Sequence, residues 1–184
     1  MASNDIVLYA AIVGCEVGFW LVLLAALVAR YVARKAALSR VLLLSLPLID
    51  LALVGFTALD LRRGAVATFA HGLAAAYVGF TVAFGHLAVK WADERFAHRF
   101  AGGPPPSMAP TRGWSAVRYE LVLWVRCIVA CSITLVLVEA LRSLAGEART
   151  TALLEWHNYA FGCVVFWFVF GPLWALATAW RRTE

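Results

Sequence analysis

Residues 41–61 read VLLLSLPLIDLALVGFTALDL, an apolar run in which Asp50 and Asp60 are the only charged residues. Its length decides the fold: about 20 mainly apolar residues, each rising about 1.5 Å, cross the hydrocarbon core of a bilayer as one helix. Four further runs of the same kind occupy residues 6–29, 65–89, 120–141 and 153–180. With 63% hydrophobic and 15% charged residues among 184, and a mean hydropathy of +0.80, the chain lies outside the composition of ordinary soluble domains. The expectation is an all-α polytopic membrane protein, a five-transmembrane-helix bundle that forms a single domain over residues 1–184.

Basic residues set the orientation of such a bundle. Arg30, Arg34, Lys35, Arg40, Lys90, Arg95, Arg99, Arg112, Arg118, Arg181 and Arg182 fall on one side, and Arg62, Arg63, Arg142 and Arg149 on the other. The N-terminus is therefore predicted outside and the C-terminus in the cytoplasm of a bacterial inner membrane. The net charge of +5 reads as a topology signal and an affinity for anionic headgroups of the lipid bilayer, and nucleic acid is not an expected partner. Helix 1 is predicted to be retained rather than cleaved as a signal, because Asp5 and no Lys or Arg lies in residues 1–9, and no lipidation signal is evident.

Between the spans, the turn Leu59-Asp60-Leu61-Arg62-Arg63-Gly64 is so short that helices 2 and 3 must form an antiparallel hairpin. Pro47, three residues before Asp50, predicts a local bend in helix 2. Helix 3 carries Gly72, Ala76 and Gly79 at a spacing that admits a close neighbour, which makes it the predicted central helix. Residues 90–118 form the predicted cytoplasmic segment, first an amphipathic stretch with Ala92, Phe96 and Phe100 on one face, then a linker at Gly102-Gly103-Pro104-Pro105-Pro106. Trp91, Trp114, Trp156 and Trp180 fall near the predicted interfaces, as an aromatic belt requires, and Gly171-Pro172 is expected to interrupt helix 5.

Residues 71–80 (HGLAAAYVGF), Phe84-Gly85-His86 and residues 91–97 (WADERFA), together with Cys15-Glu16, Phe19-Trp20 and Pro47-Leu48-Ile49-Asp50, form a block that resembles small bacterial integral membrane proteins of the YmcC type. The resemblance covers mainly helices 1 to 3. It implies a bacterial inner-membrane protein and carries no activity and no functional residue with it.

Ionisable residues inside the spans mark the candidate site, because a charge in hydrocarbon costs several kcal/mol unless it is paired or neutralised. Glu16 and Asp50 both fall near the midplane, and Arg126 lies on the cytoplasmic side of centre. With Tyr77 they form the predicted intramembrane polar site, in which a carboxylate binds or passes on a small solute, proton or ion. The competing reading is a carboxylate–guanidinium pair that only holds helices together. His71 and His157, at matched depth on helices 3 and 5, form an alternative axial pair for one haem b. Cys127 and Cys131, one turn apart, could hold a metal or serve as small residues at a helix contact. Asp60, Glu139, Glu155, His157 and Asn158 near the outer surface could bind a divalent ion. A faint repeat sets Asp60 and His71 of helices 2 and 3 beside Glu139 and His157 of helices 4 and 5.

No phosphate-binding glycine loop, Gly-x-Ser-x-Gly elbow or His-Glu-x-x-His motif is present, so an enzyme is the less favoured class and no cofactor is expected outside the haem reading. So small a bundle encloses little volume, which makes a homo-oligomer a reasonable partner state. A structural or accessory membrane subunit is the third class.

Overall fold

The computed structural model describes residues 2–111 and 113–180. Within those helices the side chains of residues 2–5, 8, 9 and 11–13 and of Cys15, Glu16, Pro47, Asp50 and Trp180 lie outside the described residues, as do Met1, Arg112, Arg181, Arg182, Thr183 and Glu184 altogether. The elements are α1 (Ala2–Tyr31), α2 (Ala36–Arg62), α3 (Phe69–Ala101), α4 (Gly113–Ala145) and α5 (Thr151–Phe168). A wide π turn over Val169–Leu173 then leads into α6 (Trp174–Trp180), so that α5 and α6 form one rod. α2, α3, α4 and this rod are long and apolar enough to cross a membrane, and α1 carries a further apolar stretch, Val17–Tyr31.

Local chemistry explains the boundaries. α2 ends at the turn around Gly64, whose φ of 100° suits a residue without Cβ. α3 begins at Thr68, where the backbone N–H donates to Nδ1 of His71 at 3.1 Å as half of a capping box. It runs on through the amphipathic stretch that carries Ala92, Phe96 and Phe100, as a helix end at the headgroup level would, and stops at Gly102, a left-handed C-cap. α4 in turn starts at Gly113, ahead of the predicted 120, so the predicted cytoplasmic segment over 90–118 is for the most part helix and its non-helical core is the linker after Gly102. That linker folds back on α3. Ser107 donates its N–H (3.1 Å) and its hydroxyl (2.7 Å) to Glu94. Gly171-Pro172 does not end the last span; the backbone accommodates proline by widening into the π turn and continuing.

α3 is the centre of the bundle and packs against α1, α2, α4 and α5. Small residues make this approach close. A Cβ at Gly72 would overlap the Trp156 indole, and one at Gly79 would come within 2.5 Å of the Ala130 carbonyl and the Thr134 hydroxyl on α4. Ala70, Ala74 and Ala75 are completely buried along the same helix. The outside of the bundle is apolar: Leu44, Val136 and Phe161 are 71%, 69% and 72% exposed, a surface suited to lipid rather than water. Trp91 and Trp114 are on that surface as an aromatic belt requires, whereas Trp156 is buried, stacked on Phe69 at 5.0 Å between ring centres. It is a packing residue and not a belt anchor.

Candidate functional site

The α1, α2 and α3 faces that meet leave a cleft of about 410 Å³ between them. Phe19 of α1 and Leu43 and Leu46 of α2 form its apolar walls, and Thr81 and His86 of α3 bring the polar groups. In sequence register, positions 16 and 50 share helical spacing with residues of α1 and α2 that line or adjoin this cleft. Position 16 precedes the buried Leu23 and Leu27 by 7 and 11 residues, and position 50 lies 7 residues from both the cleft residue Leu43 and the buried Thr57, spacings that return to the same side of a helix. The side chains of Glu16 and Asp50 lie outside the described residues. Tyr77 packs with Leu53 of α2 and with Ala70 and Ala74, one turn from Thr81.

The fourth predicted residue is elsewhere. Arg126 donates from Nη1 to the backbone carbonyl of Ala83 at 2.8 Å, so its guanidinium is bound across the α3–α4 contact. A carbonyl of a neighbouring helix is a satisfactory partner for a buried cation, and it leaves no mark in sequence. The predicted quartet therefore divides, with Glu16, Asp50 and Tyr77 on helices that enclose the cleft and Arg126 on α4.

At the opposite end of the bundle, His71 is 1% exposed, and its Nε2 lies 3.3 Å from Oδ2 of Asp60. Because Nδ1 accepts the Thr68 N–H, the ring proton sits on Nε2 and points to the carboxylate. His157 is exposed on α5 and places Nε2 3.3 Å from Glu139, which also takes Arg142 at 2.8 Å. The faint repeat read in the sequence is thus matched by two like contacts, each between a carboxylate late in one helix and an imidazole early in the next. Axial ligation of a haem by His71 would require one of its two present nitrogen contacts to be broken. Asn158 donates to Glu155 at 3.3 Å, a contact along the surface of α5.

Two further arrangements were not expected in this form. Cys163 of α5 joins Cys127 and Cys131 of α4, and the three sulfurs lie within 4.8 Å of one another. Reading the pair on α4 alone could not reach the third, because the α4–α5 register is needed to align it. Glu120, near the start of α4, faces the π turn: a Cβ at Gly171 would come within 2.9 Å of its Oε2. It opens on a cleft of about 750 Å³ bounded by the linker, α4 and the last helical rod.

Over 87 residues, 47% of this chain, the sequence is 46% identical to the uncharacterized membrane protein YmcC of Bacillus subtilis (strain 168). The aligned part spans about half the length of that curated relative, 47% of it. No family model matches the chain, and no solved structure does. The similarity and the helices together make this a multi-pass α-helical protein of a bacterial membrane.

Proposed function

We propose that the protein binds and carries a proton, a small cation or a small protonated solute across the membrane through the cleft between α1, α2 and α3. One observation supports this above the rest: positions 16 and 50 recur in register with the residues that line or adjoin one cleft, which itself offers Thr81 and His86. Two carboxylates within adjacent membrane-embedded helices are costly to keep unless a cation or proton visits them. Tyr77 supplies a hydroxyl one turn from Thr81, and Arg126 places a fixed positive charge across α3. In this reading the outer face is the one that holds Gly64.

The test is flux in proteoliposomes. A trapped pH dye and radioactive sodium or potassium report the movement of protons and small cations under an imposed gradient. Asp50→Asn and Glu16→Gln are expected to lower the flux of the carried species by about tenfold or more. Flux equal to the parent protein in both variants would remove these carboxylates from the pathway.

A further inference from the structure

The side of α3 turned away from the cleft carries a separate grouping. Cys127 and Cys131 stand one turn apart on α4, and Cys163 meets them from α5, with 3.7 Å between the Cys127 and Cys163 sulfurs. All three are free thiols. We propose that they form an intramembrane site for monovalent copper, Cu(I).

Geometry comes first. Three sulfurs arranged in a plane at about 2.3 Å from one metal lie about 4 Å from each other. With 3.7 Å between two of the sulfurs and no more than 4.8 Å between any two, the observed spread is close to that triangle. Softness comes second. Cys127 is 0% and Cys131 5% exposed, packed with Phe80, Phe84 and Trp167. Among the described residues neither carboxylate nor imidazole completes the group, so the donors are sulfur alone, which selects thiophilic metals over magnesium, calcium or manganese. Zinc would also accept thiolates but takes four ligands in closed sites. Three sulfurs against aromatic walls suit a three-coordinate ion.

Charge decides the rest. Binding by two thiolates follows Cu⁺ + 2 RSH → [Cu(SR)₂]⁻ + 2 H⁺, with the third sulfur as an added neutral donor and no change of oxidation state. The complex carries one negative charge in an apolar surrounding, a costly state without a counterion. We assign that role to Arg126, the cation nearest in sequence on the same helix. It adjoins Cys127 in sequence, and its guanidinium is held on the carbonyl of Ala83, the residue before Phe84 of the cluster wall.

The experiment is an anaerobic titration of the full chain in detergent with Cu(I) against a chromogenic Cu(I) chelator, followed by X-ray absorption of the loaded protein. The expected result is one Cu(I) per chain with only sulfur neighbours. Cys163→Ser, at the partly exposed member, should weaken binding by at least about tenfold, and Arg126→Gln by a similar factor. The triple variant Cys127→Ser, Cys131→Ser, Cys163→Ser should bind none, while Cys15→Ser on α1 binds as the parent does. Elution volume and thermal unfolding of each variant separate lost ligands from lost fold. No copper retained by the folded parent, unchanged affinity in the triple variant, or zinc retained in preference to Cu(I) would each overturn the proposal. Because the readout is binding and not flux, its failure leaves the cleft reading untouched.

Discussion

His71 is used by its neighbours as both acceptor and donor. The Thr68 N–H enters at Nδ1, and Nε2 points to Asp60, so one buried ring ties the start of α3 to the end of α2. A hydrogen bond to an ionised acceptor in a poorly hydrated place contributes about 1.5–3 kcal/mol, and its removal is felt by the whole hairpin. The matching pair at the other hairpin is more open: the side chains of His157 and Glu139 are 45% and 49% exposed. Exposed ion pairs contribute less than about 1 kcal/mol. Asp60→Ala is therefore expected to lower stability by about 1.5–3 kcal/mol and Glu139→Ala by less than about 1 kcal/mol, measured by denaturant unfolding in mixed micelles. Asp60→Asn, which keeps an acceptor oxygen, should fall between the parent and Asp60→Ala. Equal losses for the two alanine variants would mean that burial of the ring does not set the strength of its contact.

Between helices, the decisive quantity is distance. α3 and α4 touch where Gly79 meets Ala130 and Thr134, and a side chain there has nowhere to go, because the nearest obstacle is a backbone carbonyl that cannot rotate away. Overpacking of this kind costs about 1–3 kcal/mol, and Gly79→Leu should show that loss in unfolding measurements. In a Thr134→Ala background one of the two obstacles is gone, so the cost of Gly79→Leu should shrink, though not to zero. An unchanged cost would place the clash elsewhere. This contact was legible in sequence, since small residues at helical spacing announce a close neighbour before the neighbour is known. The same holds for the number of long helices and for the hairpin through Gly64. The thiol triangle and the partner of Arg126 were not legible, for a common reason. Each depends on the relative register of two helices far apart in sequence, and neither a carbonyl oxygen nor a sulfur on the next helix alters the hydrophobic pattern from which spans are read. The burial of Trp156 was hidden in the same way, because a tryptophan near a span end reads as an anchor until Gly72 is seen to make room for it.

At the scale of the whole molecule, two surfaces differ in what they ask of their surroundings. The flanks present Leu44, Val136 and Phe161 to the outside, so they demand lipid. The end where α1 and α3 finish presents Arg30, Arg34, Lys35, Lys90, Arg95 and Arg99, while the end holding the α2–α3 turn presents Arg62, Arg63 and Arg149. Some of the first group is already neutralised within the protein. Arg30 lies 3.5 Å from Asp93, and Lys90 lies 3.8 Å from Glu94. The imbalance nevertheless persists in Arg34, Lys35, Arg40, Arg95, Arg99 and Arg118, and loops this short are the ones whose basic residues govern insertion. A bacterial membrane retains positive loops on its cytoplasmic side, where anionic lipid and the membrane potential both hold them. The expected topology thus has the α2–α3 turn outside and the linker after Gly102 inside. Alkaline phosphatase fused after Gly64 should be active, because it folds only once exported, and a green fluorescent protein fused after Met108 should be bright, because it matures on the cytoplasmic side. The converse pair of fusions should be silent. A bright fluorescent fusion at Gly64 together with an active phosphatase at Met108 would invert the bundle and place the linker after Gly102 outside.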